Sequence, residues 1–426
     1  MEQILLYLSF GFFIIWYFVR PLLVLIFGLL NKKKITNFTS HQTEGVSVVI
    51  PCHNEEAVIK DTLLSVLNQK VPYDFELIVV ENNSTDQTFS IVKELAKEFP
   101  QIKPYSLKIP RYRQNGTRIN PISYAINFGV KKSIYPIILR LDGDTQLGNE
   151  HVMKKMVQPI LQNEAVLCAC NVAVENAKEN ILTRLQVIEY FLSMDVDRKA
   201  QQLLQTLICA SGALQAFSRE EFWISGGYTD NIHVSEDMDL TLKMHRQGCV
   251  KFVEDAVVYT DVPNTLKNLL KQRVWWTQIG MNCTYQHKKG VYNKTYGKNG
   301  IVGFIGLPLK IFLSFQSFFG MIIKVMTSIV AVLSGITTDI IETFIIISII
   351  HVALDLFSVL ICIPVSKNRK VLSNLWLMPF ATLIYGPILN FVKIYAVFNG
   401  VYKVNKEHIM LSKQTREGSD TKSFVA

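Results

Sequence analysis

Three patterns of apolar and polar positions succeed one another along this chain. Residues 4–30 form an apolar run broken only by Arg20 and Pro21. As one helix the run reaches roughly 40 Å, enough to cross a bilayer with tilt. Lys32, Lys33 and Lys34 follow at once. Under the positive-inside rule they predict an N-terminal transmembrane helix over 1–31 with the next domain in the cytosol. The run is too long for a secretory signal peptide and has no small-residue cleavage site. A two-helix hairpin broken at Pro21 is the remaining alternative.

Between 45 and 261 short apolar runs alternate with amphipathic stretches. Val46 to Ile50, Phe75 to Val80, Ile137 to Leu141 and Val166 to Val174 read as strands. Glu56 to Asn68, Thr85 to Phe99 and a segment ending near Gly129 read as helices, and Lys178 to Gln205 as a long one. In the second of these, Phe89, Val92, Leu95 and Phe99 share one face, and Ser84, Thr85 and Asp86 suit its cap. Repeated strand-helix-strand units predict an α/β domain with a mostly parallel sheet. Ligand loops of such sheets gather beyond the carboxyl ends of the strands.

After 262, Leu266, Leu269 and Leu270 stand beside Lys267 and Lys271, followed by Trp275 and Trp276. This predicts an interfacial amphipathic segment over 262–300. Within 301–400, the stretches 301–335, 340–365 and 374–400 are candidate spans, with Lys367, Arg369 and Lys370 in one gap. A polar tail, 401–426, ends the chain. Three spans put the C-terminus outside, whereas its basic residues Lys403, Lys406, Lys413 and Arg416 favour the inside. Two or four spans therefore stay open, with Lys310 and Lys324 arguing that part of 301–324 lies along the surface. His351 and Asp355, at i and i+4, read as a structural polar pair within a span.

Composition adds three constraints. Of 426 residues 49% are hydrophobic, and the excess lies in the first 30 residues and after 300. The net charge of +9 carries no basic stripe interleaved with aromatics, so no nucleic-acid partner is expected and a membrane-lipid partner is. Seven cysteines without a C-x-x-C pair fit buried thiols, and neither a disulfide frame nor a zinc site.

The chemistry lies at the strand ends: His53-Asn54-Glu55, Glu81-Asn82-Asn83-Ser84 and Asp142-Gly143-Asp144. In extended backbone residues i and i+2 face the same way, so Asp142 and Asp144 can face one cation, and Gly143 admits a ligand close to the chain. An all-oxygen donor set suits Mg²⁺ or Mn²⁺. Any one triplet also reads as an ordinary turn. Three after strands of one sheet predict a site that converges on a nucleotide.

These stretches, followed in order by Ser211-Gly212-Ala-Leu-Gln-Ala-Phe217, Ser235-Glu236-Asp237 and Gln272-Arg-Val-Trp-Trp276, resemble the family 2 inverting glycosyltransferases. Among these, the chain is similar to the membrane-integral synthases of hyaluronan, chitin, cellulose and poly-N-acetylglucosamine. The resemblance implies a GT-A-like, Rossmann-type cytosolic domain with flanking transmembrane helices, multi-pass in the cell membrane. It implies a metal-dependent hexosyltransferase that adds a sugar from a UDP-sugar, UDP-N-acetylglucosamine favoured, to a growing β-linked polysaccharide or other glycan acceptor. Asp142 and Asp144 then hold Mg²⁺ or Mn²⁺, with Asp142 also near the nucleotide. Asn54, Glu55 and Glu81 line the nucleoside pocket, Glu81 standing where the family has Asp. Gly212 and Glu236 belong to the substrate wall, and Asp237 is the catalytic base. The Ser235 triplet equally reads as a helix cap with acidic first-turn residues. The Gln272 motif departs from the family's Gln-x-x-Arg-Trp: Trp276 keeps the sugar-stacking place, and diphosphate contact falls to Arg118, Arg273 or Lys271. One alternative is single transfer to a lipid acceptor. Another is a transporter or channel with a nucleotide-binding regulatory domain.

Overall fold

The structure, a computed structural model, describes residues 18, 20–31, 45–113, 118–314, 338–366 and 368–399. The expectations for 1–17, for most of the first C-terminal span and for the 401–426 tail fall outside these residues.

A short helix α1 (Arg20–Asn31) precedes a central eight-stranded sheet. Strands β1 (Gly45–Cys52), β2 (Asp74–Asn82), β3 (Ile102–Leu107) and β4 (Ile137–Leu141) are parallel and ordered β3-β2-β1-β4. Every residue of β1 and β4 is buried. Their Val/Ile-rich runs suit strands covered on both faces by the crossover helices α2 (Ile59–Leu67), α3 (Thr88–Glu98) and α4 (Pro121–Lys132). Asn120 fixes the start of α4 by accepting from the N–H groups of Ile122 and Ser123, with Pro121 in the first turn.

The second half is not parallel throughout. It comprises β5 (Thr145–Leu147), α5 (Val152–Leu161), β6 (Leu167–Val174), α6 (Ile181–Phe191), β7 (Leu214–Ser218), α7 (Arg219–Ile224), α8 (Glu236–Met244) and β8 (Val250–Thr260). Strand β7 lies between β4 and β6, antiparallel to both, and β5 is antiparallel to β8. The sheet is therefore mixed but mostly parallel, as expected: β6 and β8 run with β1–β4, and only β5 and β7 run against them. Periodicity gave no sign of β3 or β8, because Lys103, Lys251, Glu254 and Asp255 interrupt their apolar runs.

Helix α6 continues through a π-helical turn, Leu192–Arg198, into Lys199–Leu203. It packs in a second apolar cluster that includes Val24 of α1, Phe191, Val196, Leu269 of α9 (Leu266–Gln286), Val359 of α10 (Thr338–Cys362), Leu377 and Tyr385. A buried polar joint reinforces it. Lys199 lies 3.3 Å from Asp195 and 2.9 Å from Glu254 and donates to the Val365 carbonyl at 2.7 Å, while Ser366 donates to Asp195 at 2.8 Å. Thr382 donates to Asp355 at 2.7 Å and so ties α10 to the helical stretch after it. Among the described residues two segments, Ser348–Val365 and Arg369–Asn399, are long and apolar enough to cross a membrane. They leave Ile349, Phe391 and Phe398 largely exposed. All seven cysteines are free thiols.

His245, at the end of α8, is 5% exposed and bonds to the Leu207 carbonyl at 2.6 Å. Burial pushes its pKa down to about 4, with the Leu207 bond opposing. The folded form thus binds the proton less well than the unfolded chain, whose value is about 6.5. Its contribution is complete above that unfolded value and is lost as pH falls through the folded one. We expect His245→Gln to flatten the fall in melting temperature between pH 6.5 and 4, a window where this one group accounts for about 1–3 kcal/mol.

Candidate active site

The ends of β1, β2 and β4 meet at one sheet edge. Asn54 takes a positive φ of 57°, its side chain accepts from the Thr85 N–H at 2.8 Å, and its backbone N–H donates to Ser84 Oγ at 3.2 Å. Glu81, buried at the end of β2, accepts from the Ser84 N–H and from Ser106 Oγ at 2.6 Å. Both loops are thus clamped from within. Gly143 lies against the β1 loop: a Cβ there would stand 3.1 Å from the Pro51 oxygen and 3.4 Å from Glu55 Cγ. Thr62 of α2 also donates to the Gly143 carbonyl at 2.9 Å.

From this edge the cluster continues across β4. Arg140, only 2% exposed, points its Nη2 at Asp142 Oδ1 (2.8 Å) and toward Glu236 Oε1 (3.8 Å). Its Nη1 fills the space where Gly212 would carry a Cβ, at 1.8 Å from that position, so any larger residue at 212 collides with the guanidinium. Gly212 N–H in turn donates to Asp237 Oδ2 at 3.3 Å, and Cys209 Sγ lies 3.5 Å from the same oxygen. The other oxygen, Oδ1, accepts from Ser235 Oγ and from the Met238 N–H at 2.7 Å. Asp237 therefore sits in the first turn of α8 with one oxygen held tightly and the other only loosely.

The electrostatics follow from crowding. Burial raises Asp142 to about 7; Arg140 opposes this, and Asp144, Glu236 and Asp237 add to it. Glu236 rises to about 7 by burial and then by Asp237, against Arg140. Glu55 rises to about 7 by burial, then by Asp144 and Asp86. Asp144 is also raised, by burial. Asp142 nevertheless keeps about a third of its side-chain surface open (35%), so a ligand can reach it. Several crowded carboxylates around one guanidinium suit a divalent cation, and the all-oxygen donor set of Asp142 and Asp144 matches Mg²⁺ or Mn²⁺. A second trio, Asp239, Cys283 and His287, has ligand atoms within 4.8 Å of one another. There Lys243 Nζ is already 2.6 Å from Asp239, and His287 bridges Asp239 (2.8 Å) and Tyr296 (3.2 Å). We assign that trio to joining α8 with the end of α9.

Two overlapping stretches of this chain match known protein families. Residues 47–223 match glycosyl transferase family 2, and residues 137–385, more than half of the chain, match glycosyl transferase family group 2. The chain is a family 2 glycosyltransferase. Its curated relatives include the poly-beta-1,6-N-acetyl-D-glucosamine synthases of Staphylococcus epidermidis, 29% identical over 252 residues, and of Staphylococcus aureus strain COL, 29% identical over 253. Each alignment covers 59% of this chain and 58% of the relative, so the glycosyltransferase spans under two thirds of their length. In fold it is similar to a mannosyltransferase of Pyrobaculum calidifontis solved with GDP-mannose and Mn²⁺, with a TM-score of 0.62 at 16% identity over 91% of this chain and 96% of that one. The mixed sheet is accordingly a Rossmann-like GT-A fold.

The structure brings Asn54, Glu55, Glu81, Asp142, Asp144, Gly212, Glu236 and Asp237 into one continuous cluster. Arg273 hydrogen-bonds none of these residues, although its neighbour Tyr190 lies within electrostatic reach of Asp144. Arg273 is buried on α9 and donates to both oxygens of Glu189 (3.1 and 3.0 Å), to Gln272 Oε1, and lies 4.5 Å from the Trp276 ring. Tyr385 donates to the same Glu189, which fastens α6, α9 and the C-terminal helix together. Arg118 is exposed beside the Ile119–Asn231 bridge, and Trp276 is 46% exposed. Sequence reasoning missed Arg140 and Glu189. For Arg140 the signal is a lone charge inside a buried strand run, since such a charge requires a partner. For Glu189 no local signal exists, because its partners lie 84 and 196 residues away.

Proposed function

We propose that this glycosyltransferase is a membrane-integral, inverting hexosyltransferase that transfers N-acetylglucosamine from its UDP-sugar to a growing β-linked polysaccharide. The observation that carries this reading is the convergence of Asp142 and Asp144 with Glu236 and Asp237 around Arg140. It joins a leaving-group site to an acceptor-side base. The likeness to the staphylococcal synthases supports the sugar, and the exposed apolar helices support a multi-pass membrane position with the catalytic domain, 45–261, in the cytosol.

In this reading Asn54, Glu55 and Glu81 line the nucleoside, with Glu81 held rigid by Ser84 and Ser106. Asp142 and Asp144 hold the Mg²⁺ or Mn²⁺, which when bound offsets charge on the departing diphosphate. Asp237 Oδ2, engaged only by long contacts, accepts the proton of the acceptor hydroxyl. The acceptor oxygen bonds to the anomeric carbon from the face opposite the diphosphate, the bond to the diphosphate oxygen breaks, and UDP leaves with inversion. Trp276 offers its exposed indole to a pyranose face.

The test is to incubate washed membranes holding the full chain with individual UDP-sugars and Mn²⁺, then measure UDP release and product size. Release with UDP-N-acetylglucosamine and a long, linkage-uniform polymer are expected. A single mobile glycolipid replaces the polymer reading with one-step transfer, and absence of UDP release from every UDP-sugar defeats the donor assignment.

A further inference from the structure

Two cations lie by the Cys209 segment that borders Asp237, and neither forms an ion pair among the described residues. Residues 206–210 run beside α8, with Thr206, Leu207, Ile208 and Ala210 buried and Cys209 left half-buried next to Asp237. Arg198 closes the π-helical turn of α6, where the extra residue per turn re-aims side chains relative to a straight helix. It donates to the Cys209 carbonyl. From the other side comes the helical stretch 301–314. Gly306 rests on Thr206, where a Cβ would stand 3.4 Å from Thr206 Cβ, and Leu307 shares an apolar cluster with Ile208. Lys310 lies one turn farther on the same face, three residues after Leu307 and four after Gly306. It is half-buried and within electrostatic reach of both Cys209 and Arg198.

Several cations of the core are matched: Arg140 by Asp142, Lys199 by Asp195, Lys243 by Asp239, Arg273 by Glu189. Lys393, also near Lys310, has Glu189 and Asp197 in reach. Among the described residues neither Arg198 nor Lys310 has an ion-pair partner. Half-buried charges left this way call for a counter-ion from outside the chain. A planar donor fork beside a point charge suits a tetrahedral phosphate. The surroundings also suit a lipid carrier: Phe304, Ile305, Leu309 and Phe312 on the same helical stretch are exposed.

We propose that Arg198 and Lys310 form an anion subsite beside Asp237 that takes a phosphate group carried by the acceptor. The proposal rests on reading Asp237 as the acceptor-side group. The phosphate belongs either to a lipid presented from the bilayer or to a soluble phosphorylated sugar, and the experiment separates the two.

The full chain in detergent is titrated with mixed micelles of phosphatidic acid, with matched micelles of phosphatidylcholine, and with inorganic phosphate. UDP binding and melting temperature are followed on the same preparations. Wild type is expected to bind phosphatidic acid at least about tenfold more tightly than phosphatidylcholine. Lys310→Gln and Arg198→Gln are each expected to lose about tenfold of that preference with UDP affinity retained. Binding of phosphatidic acid that inorganic phosphate displaces supports the subsite with a lipid carrier. Binding of inorganic phosphate alone, weakened by the same substitutions, supports it with a soluble carrier. Equal affinity for the two lipids with no phosphate binding, or phosphate binding unchanged in both variants, overturns it. Phosphate binding by a protein that turns over no UDP-sugar defeats the reaction reading and leaves the subsite standing.

Discussion

Replacing Asp237 with asparagine is expected to lower turnover by about 10²–10⁴-fold while UDP-sugar affinity changes little. The asparagine oxygen can still accept from Ser235 and from the Met238 N–H, so the first turn of α8 keeps its cap. What disappears is the basic oxygen that faces Gly212 and Cys209. In its place the amide presents N–H toward the Gly212 N–H, 3.3 Å from the lost oxygen, a mild repulsion that melting temperature will report. Initial rates of UDP release, set against calorimetric titration with UDP, decide the matter. Loss of binding in proportion to rate, or retention of more than a tenth of the activity, would remove Asp237 from the base role.

The second large effect belongs to Arg140. Arg140→Met removes the internal cation from beside Asp142 and Glu236, and breaking a buried pair on one side commonly costs 3–5 kcal/mol, or about 2–4 here because Asp142 is partly open to water. Turnover should fall as well, since Asp142 and Glu236 lose their shared anchor. Gly212→Ala supplies the control. Alone it forces a Cβ into the position 1.8 Å from Arg140 Nη1 and should destabilise strongly. In the Arg140→Met background that collision is gone, so the cost of Gly212→Ala should shrink by at least about 1 kcal/mol in a double-mutant cycle read by denaturant melts. Additive costs would show that Gly212 is required for some reason other than the guanidinium.

Much of the first half of the fold was legible because its physics is local. The runs around Val48, Val79 and Leu139 are strands buried on both faces, and the polar triplets follow them at the strand ends. The helix beginning at Glu236 was equally legible from Ser235 and its acidic first turn. Strand β7 was not. Its direction depends on where α6 delivers the chain, and that path is set by packing against α1, α10 and the segment after it. The departure at Gln272-Arg273 was visible, but its outcome was not, since Arg273 bonds a glutamate 84 residues upstream.

The sequence by itself determined the order of the polar loops and the acidic pair at Asp142 and Asp144, and it was their resemblance to a known family that implied the glycosyltransferase class. Loop order and the acidic pair depend on residue type, spacing and alternation along one strand, which do not change with what packs nearby. Tertiary structure alone decided that Arg140 links Asp142 to Glu236, that Arg273 bonds Glu189, and that Arg198 and the 301–314 stretch both pack against the 206–209 segment beside Asp237. Each is a contact between distant segments, and a charge's partner in space is set by the packing of whole helices and strands.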